Sequence, residues 1–122
     1  MKKILVVDDD REVRELLKER LERANYEVST ASHGQRAVSI CKSNPPDLIL
    51  LDIAMPEMDG YAVAEALGEN QATEDIPTLF LSGKELDMKS VSERVGELSA
   101  HGFIMKTCDF KELLSRIREI IG

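Results

Sequence analysis

The sequence predicts an α/β domain in which five short strands form one parallel sheet covered by helices. Three observations predict it. Short apolar runs recur along the 122-residue chain, each followed by a stretch with apolar residues at helical spacing. Most of the runs are unbroken rather than alternating, as strands buried on both faces require. The stretches between them are long enough for the helical crossovers that parallel strands need.

Ile4–Val7 is the first unbroken run, bounded by Lys2-Lys3 and by acids. Val13, Leu16, Leu17, Leu21 and Ala24 then repeat at helical spacing with Glu and Arg between them, and Asp10 stands at the natural N-cap. Tyr26–Ala31 reads as a short strand. Gly34–Lys42 reads as a helix turning Ala37, Val38 and Cys41 inward, and Pro45-Pro46 stops it. Leu48–Leu51 is a second fully apolar strand, ending in Asp52. After a loop with Pro56, Asp59-Gly60 opens a short helix through about Leu67, with Asp59 as its N-cap. Thr78–Leu81 is the next buried strand, ending in Ser82. Met88, Val91, Val95 and Leu98 line one face of a helix that Gly96 weakens. Phe103–Met105 is the last strand and ends at Lys106. Phe110, Leu113, Leu114, Ile117, Ile120 and Ile121 line the final helix.

Residues 1–122 read as one domain without repeat, linker or low-complexity segment, and without an output domain. Apolar residues make up 43% and charged residues 32% of the chain, an ordinary balance for a globular protein. No apolar run approaches the roughly 18 residues of a membrane span. The apolar start at Ile4 is cut off by acids too soon for a signal peptide, so the expected location is the cytoplasm. Cys41 and Cys108 form no metal-ligand spacing with His33 or His101, and read as reduced thiols. The net charge of −7 argues against nucleic-acid binding by this domain itself.

The chemistry sits at the carboxyl ends of the strands. Asp8 and Asp9 follow the first, Asp52 the third, Ser82 the fourth and Lys106 the fifth. In open α/β sheets the ligand crevice lies at those ends, and right-handed crossovers bring them together. Three converging carboxylates repel one another and hold protons more tightly unless a cation sits among them. Mg2+ suits such a set, because it takes oxygen ligands and keeps water and phosphate oxygens in its shell. A carboxylate beside Mg2+ can attack phosphorus in line to give an acyl phosphate, a reaction that needs positioning and charge neutralisation. The metal, Lys106 and the Ser82 hydroxyl would neutralise three phosphoryl oxygens.

Each residue also has a plainer explanation. The Asp-Asp-Asp run alone is a helix N-terminus with favourable dipole interactions. Asp52 alone is a loop-capping carboxylate, Ser82 a strand-end hydroxyl, Lys106 a solvated amine and Phe103 a core aromatic. The conjunction at the strand ends of one fold favours the shared pocket.

The segment Leu-Asp-Ile-Ala-Met-Pro-Glu-Met-Asp-Gly at 51–60 resembles the phosphorylation-site signature of response-regulator receiver domains. Val-Val-Asp-Asp at 6–9, Leu-Ser at 81–82 and Phe-Ile-Met-Lys at 103–106 extend the resemblance over essentially the whole chain. It implies a flavodoxin-like, doubly wound five-stranded sheet of order 2-1-3-4-5 with five helices. It implies that Asp52 accepts a phosphoryl group from a phosphohistidine of a histidine kinase or histidine phosphotransfer protein. By the same resemblance, Asp9 and Asp52 ligate Mg2+ directly, with Mn2+ a substitute. Asp8 acts mostly through water, and the Ala54 carbonyl completes the protein ligands. Lys106 and Ser82 contact the phosphoryl group, and Phe103 changes rotamer with it, switching the surface of helix 4, strand 5 and helix 5. Such a domain is a switch that catalyses its own phosphotransfer and dephosphorylation without a turnover substrate. It passes the signal to an output protein or domain, as a monomer or a phosphorylation-dependent dimer.

The chain departs from the family pattern in three places. Thr107 follows Lys106 where the family usually has proline after a cis bond, the stretch from Ser82 to Lys106 is longer, and Gly83 replaces an alanine. A non-proline cis bond costs roughly 2.5–4 kcal/mol. The Lys106–Thr107 bond is therefore expected to be trans, with Lys106 still reaching Asp52 and Thr107 or Asp109 capping the last helix. Two rival readings remain. Asp8-x-Asp10, Ser82 and a later lysine imitate a haloacid-dehalogenase-type phosphatase, but a cap domain and its later acidic motif are missing. A pseudo-receiver would bind partners without taking phosphate, yet all five pocket residues are present.

Overall fold

Alternation of strand and helix runs through the chain without interruption, in a computed structural model that describes residues 1–98 and 100–122. The elements are β1 (Lys3–Val7), α1 (Arg11–Arg23), β2 (Glu27–Ala31), α2 (Gly34–Ser43), β3 (Leu48–Asp52), α3 (Gly60–Gly68), β4 (Thr78–Ser82), α4 (Met88–Glu97), β5 (Phe103–Met105) and α5 (Phe110–Ile121). The strands pair in parallel in the order β2-β1-β3-β4-β5, the doubly wound order the resemblance implied.

The period-two geometry of a strand divides the core. Leu5, Val7, Ile49, Leu51 and Phe80 face α2, α3 and α4, packing with Ala37, Cys41, Val63, Leu67, Val91 and Val95. Ile4, Val6, Leu48, Leu50, Leu79, Leu81 and Ile104 face α1 and α5, packing with Leu21, Leu113 and Ile117. Both faces of β1, β3 and β4 are buried, which is why their sequences are unbroken apolar runs. β2 is an edge strand and keeps Glu27 and Ser29 in solvent.

Aspartates cap four of the helices. Asp10 accepts from the Glu12 N–H, Asp59 from Ala62, Asp87 from Ser90 and Asp109 from Lys111, while His33 Nδ1 accepts from Arg36. Asp10 and Asp59 are the caps expected from sequence, Asp109 rather than Thr107 caps the last helix, and the Lys106–Thr107 bond is trans as the energetics require. Small differences have local causes. Tyr26 precedes β2 rather than opening it, because its N–H donates to the Leu21 carbonyl oxygen at the end of α1, while the Glu27 N–H is the first to reach the β1 side, at the Lys2 carbonyl oxygen. Met88 and Leu16 are apolar in the helical pattern but stay 52% and 49% exposed, since Met88 begins α4 and Leu16 lines an open cleft shared with Leu81 and Phe110. Burial pushes the Cys41 thiol up to about 11, and both cysteines are free.

Candidate functional site

β1 and β3 are neighbours whose register ends at Val7↔Leu51, so Asp8 and Asp52 emerge side by side at the carboxyl edge. β4 ends one strand over, with Asp52 opposite Leu81, and β5 pairs Met105 with Ser82. The residue after Met105 is Lys106, whose Nζ lies 2.9 Å from Asp8 Oδ2 and 3.1 Å from Asp52 Oδ1. One carboxylate oxygen from each of Asp8, Asp9 and Asp52 falls in a group spanning no more than 4.8 Å. Asp8 and Asp52 are buried, at 0% and 1% exposure, whereas Asp9 is exposed at the mouth.

The loop from β3 to α3 completes the rim. Met55 anchors it in the core, Glu57 takes a left-handed conformation at φ 67°, and the Gly60 N–H donates to the Ile53 carbonyl oxygen at 2.8 Å. Gly60 lies so close to β3 that a Cβ there would sit 2.3 Å from the Asp52 carbonyl oxygen.

Charge in this pocket is unbalanced. Burial is the main force pushing the Asp52 carboxyl up to about 7; the Asp8 charge adds to it, Lys106 opposes through its charge and hydrogen bond, and Asp9 raises it further. Burial also works against the Lys106 ammonium, but the hydrogen bond and charge of Asp8, then those of Asp52, outweigh it and leave its pKa raised. Asp52 Oδ2 is buried with no hydrogen-bond partner among the described residues, and Asp8 Oδ2 has only the ammonium beside it. Buried carboxylate oxygens are normally satisfied, so this pocket fits a divalent cation with oxygen ligands.

Native Asp52 keeps its proton to higher pH than the unfolded carboxyl, so between about pH 4 and pH 7 the native state binds more protons. Without metal, stability should therefore fall as pH rises through that window, by at least about 1.4 kcal/mol, the worth of one pKa unit. Urea unfolding at pH 5 and pH 8 in a chelator measures it. A flat profile would contradict the charge imbalance.

The other sequence-picked residues take definite places. Ser82 is buried at the end of β4, and among the described residues its Oγ bonds only the Gly83 carbonyl oxygen, at 3.5 Å. Phe103 is half-buried against the α3–α4 side of the core rather than in the carboxylate cluster. Ala54 is exposed two residues beyond Asp52. Sequence reasoning passed over Arg14, whose guanidinium donates to the Asp8 main-chain oxygen at 2.8 Å, and it read Gly60 only as a helix start. Nothing local in the sequence marks either role.

The family model for the response regulator receiver domain matches residues 4–118. The chain is 38% identical over 121 residues to the probable transcriptional regulator ycf27 of Porphyridium aerugineum. It is 39% identical over 121 residues to the response regulator MprA of Mycolicibacterium vanbaalenii. These alignments cover 98% of this chain but 48% and 50% of those proteins, so the chain spans about half the length of the curated relatives it matches. Among solved structures it is similar to chemotaxis protein CheY4 of Vibrio cholerae, with a TM-score of 0.90 at 27% identity over 99% of each chain. The non-phosphorylated HemR receiver domain of Leptospira biflexa superposes with a TM-score of 0.86 at 34% identity, over 100% of this chain and 95% of that one. The chain belongs to the response regulator receiver family, the signal-receiving part of two-component systems. Members of that family are signalling proteins.

Proposed function

We propose that this domain accepts a phosphoryl group from a phosphohistidine onto Asp52, with Mg2+ held by Asp8, Asp9, Asp52 and the Ala54 carbonyl. The observation that carries the reading is the gathering of three carboxylates within 4.8 Å around one ammonium, with a buried Asp52 oxygen left unpartnered. An Asp52 oxygen attacks phosphorus, the P–N bond breaks, and its electron pair leaves on the imidazole nitrogen of the donor. When bound, Mg2+ neutralises charge on the carboxylates and the phosphoryl oxygens. Lys106 exchanges its bond to Asp52 for one to a phosphoryl oxygen, its four-carbon stem allowing the small movement. Ser82, held among the described residues only by a long bond to Gly83, is free to donate to another.

Phe103 carries the change outward by switching rotamer from its half-buried position on β5, altering the α4–β5–α5 surface. That surface meets an output protein or domain, and the domain is a monomer or dimerises when phosphorylated. Residues 1–122 act as one receiver unit in the cytoplasm, without contacting nucleic acid directly. No described helix is long and apolar enough to cross a membrane.

Incubation with acetyl phosphate and Mg2+ should add one phosphoryl group, read by intact mass, and omitting Mg2+ should prevent it. Calorimetric titration should show one Mg2+ site that Asp9→Ala weakens at least about ten-fold. The same change should stabilise the metal-free fold by removing a like charge. Asp9→Ala that lowers metal-free stability and leaves Mg2+ affinity unchanged would reject the metal assignment.

A further inference from the structure

We infer that Arg14 is a positioning residue of the metal site, fixing Asp8 through its main-chain carbonyl; this rests on reading the three carboxylates as a Mg2+ site. Asp8 is wholly buried and lies one residue beyond the end of β1, whose pairing with both neighbours stops at Val7. Each of its polar atoms is nonetheless held. Its N–H donates to the Ala31 carbonyl oxygen at 3.2 Å, and Oδ1 accepts from the Asp10 N–H at 2.9 Å. Oδ2 lies 2.9 Å from Lys106 Nζ.

The Asp8 carbonyl oxygen lies past the last paired residue of β1 and precedes the helix, and among the described residues no backbone N–H donates to it. Arg14, half-buried on the first turn of α1, supplies a donor from Nη1 at 2.8 Å. A charge-assisted bond to a planar guanidinium is both stronger and more directional than a water would be. α1 is itself fixed at this end, because the Arg14 N–H donates to the Asp10 carbonyl oxygen and Asp10 caps the helix. The arginine thus ties the β1–α1 loop, with Asp8 and Asp9 on it, to a rigid element. Three oxygens converge more closely when the loop that carries two of them cannot drift.

The sign of the effect separates positioning from charge. A cation near a Mg2+ site repels the metal, so removing a merely neighbouring arginine tightens binding. Removing an arginine that holds the loop loosens it. Mg2+ should be titrated calorimetrically at low salt into the wild type, Arg14→Ala and Arg14→Gln, with metal-free amide shifts of Asp8, Asp9 and Asp10 recorded for each. Arg14→Ala should weaken Mg2+ binding about three- to ten-fold and move all three amide shifts. Arg14→Gln, which still offers an uncharged donor, should recover at least half of the loss. Unchanged or tighter binding in Arg14→Ala would overturn the inference. If that variant does not fold, Arg14→Met, which keeps an aliphatic stem but offers neither charge nor donor, takes its place with the same two outcomes. Wild-type Mg2+ binding that Asp9→Ala leaves intact would instead overturn the metal site itself.

Discussion

Gly60→Ala should cost the domain about 3 kcal/mol of unfolding free energy, at the upper end for overpacking. A Cβ at Gly60 would meet the Asp52 carbonyl oxygen at 2.3 Å and Ile53 Cα at 2.9 Å. Both are backbone atoms that cannot rotate away, and the Gly60–Ile53 hydrogen bond holds the segments together. The glycine is needed for space, since its φ is not in the left-handed region. Relief requires the end of β3 to move, which displaces Asp52, so phosphorylation by acetyl phosphate should also fall. Gly96 makes the control. It lies inside α4 with nothing within 4 Å of its missing Cβ, and Gly96→Ala should stabilise by about 0.5–1 kcal/mol. Urea unfolding compares the two. A Gly60→Ala variant as stable as wild type would refute the close approach.

Lys106→Met should lower metal-free stability at pH 8 by about 2 kcal/mol. Breaking a buried ion pair usually costs more, but two things soften the loss. The Lys106 side chain is 27% exposed, so solvent already screens part of the attraction. Asp52 can also take up a proton, because its pKa is already pushed up to about 7 and rises further without the ammonium. The native variant then binds more protons than the unfolded chain over a wider range. Its stability should fall more steeply with rising pH than that of the wild type, so the gap between the two should narrow toward pH 5, leaving the loss of the Asp8 pairing. Equal stabilities at pH 8 would show that the ammonium does not balance the pocket.

Much of the fold was legible because its strands are buried on both faces. Runs such as Leu48–Leu51 leave little choice, and the acids and lysine at their ends stand out as strand-end chemistry. Proline's absence after Lys106 correctly indicated a trans bond, since a non-proline cis bond costs roughly 2.5–4 kcal/mol. Strand order was reached through the family resemblance, as β2 is an amphipathic edge whose placement its own residues do not dictate. The helical period overreached at Leu16 and Met88, where an apolar residue continues a pattern but stays exposed. Arg14 and Gly60 stayed hidden for a different reason. A surface arginine and a helix-start glycine look ordinary until the chain closes and brings Asp8 or Asp52 against them.

The central claim is that the phosphoryl group goes to Asp52, and reductive trapping tests it at the level of one atom. Borohydride reduces an acyl phosphate on aspartate to homoserine, and peptide mass spectrometry locates the change. After treatment with acetyl phosphate and Mg2+, homoserine should appear at position 52 alone, and Asp52→Asn should yield none. Homoserine at position 8, 9 or 10, or undiminished labelling of Asp52→Asn, would contradict the assignment.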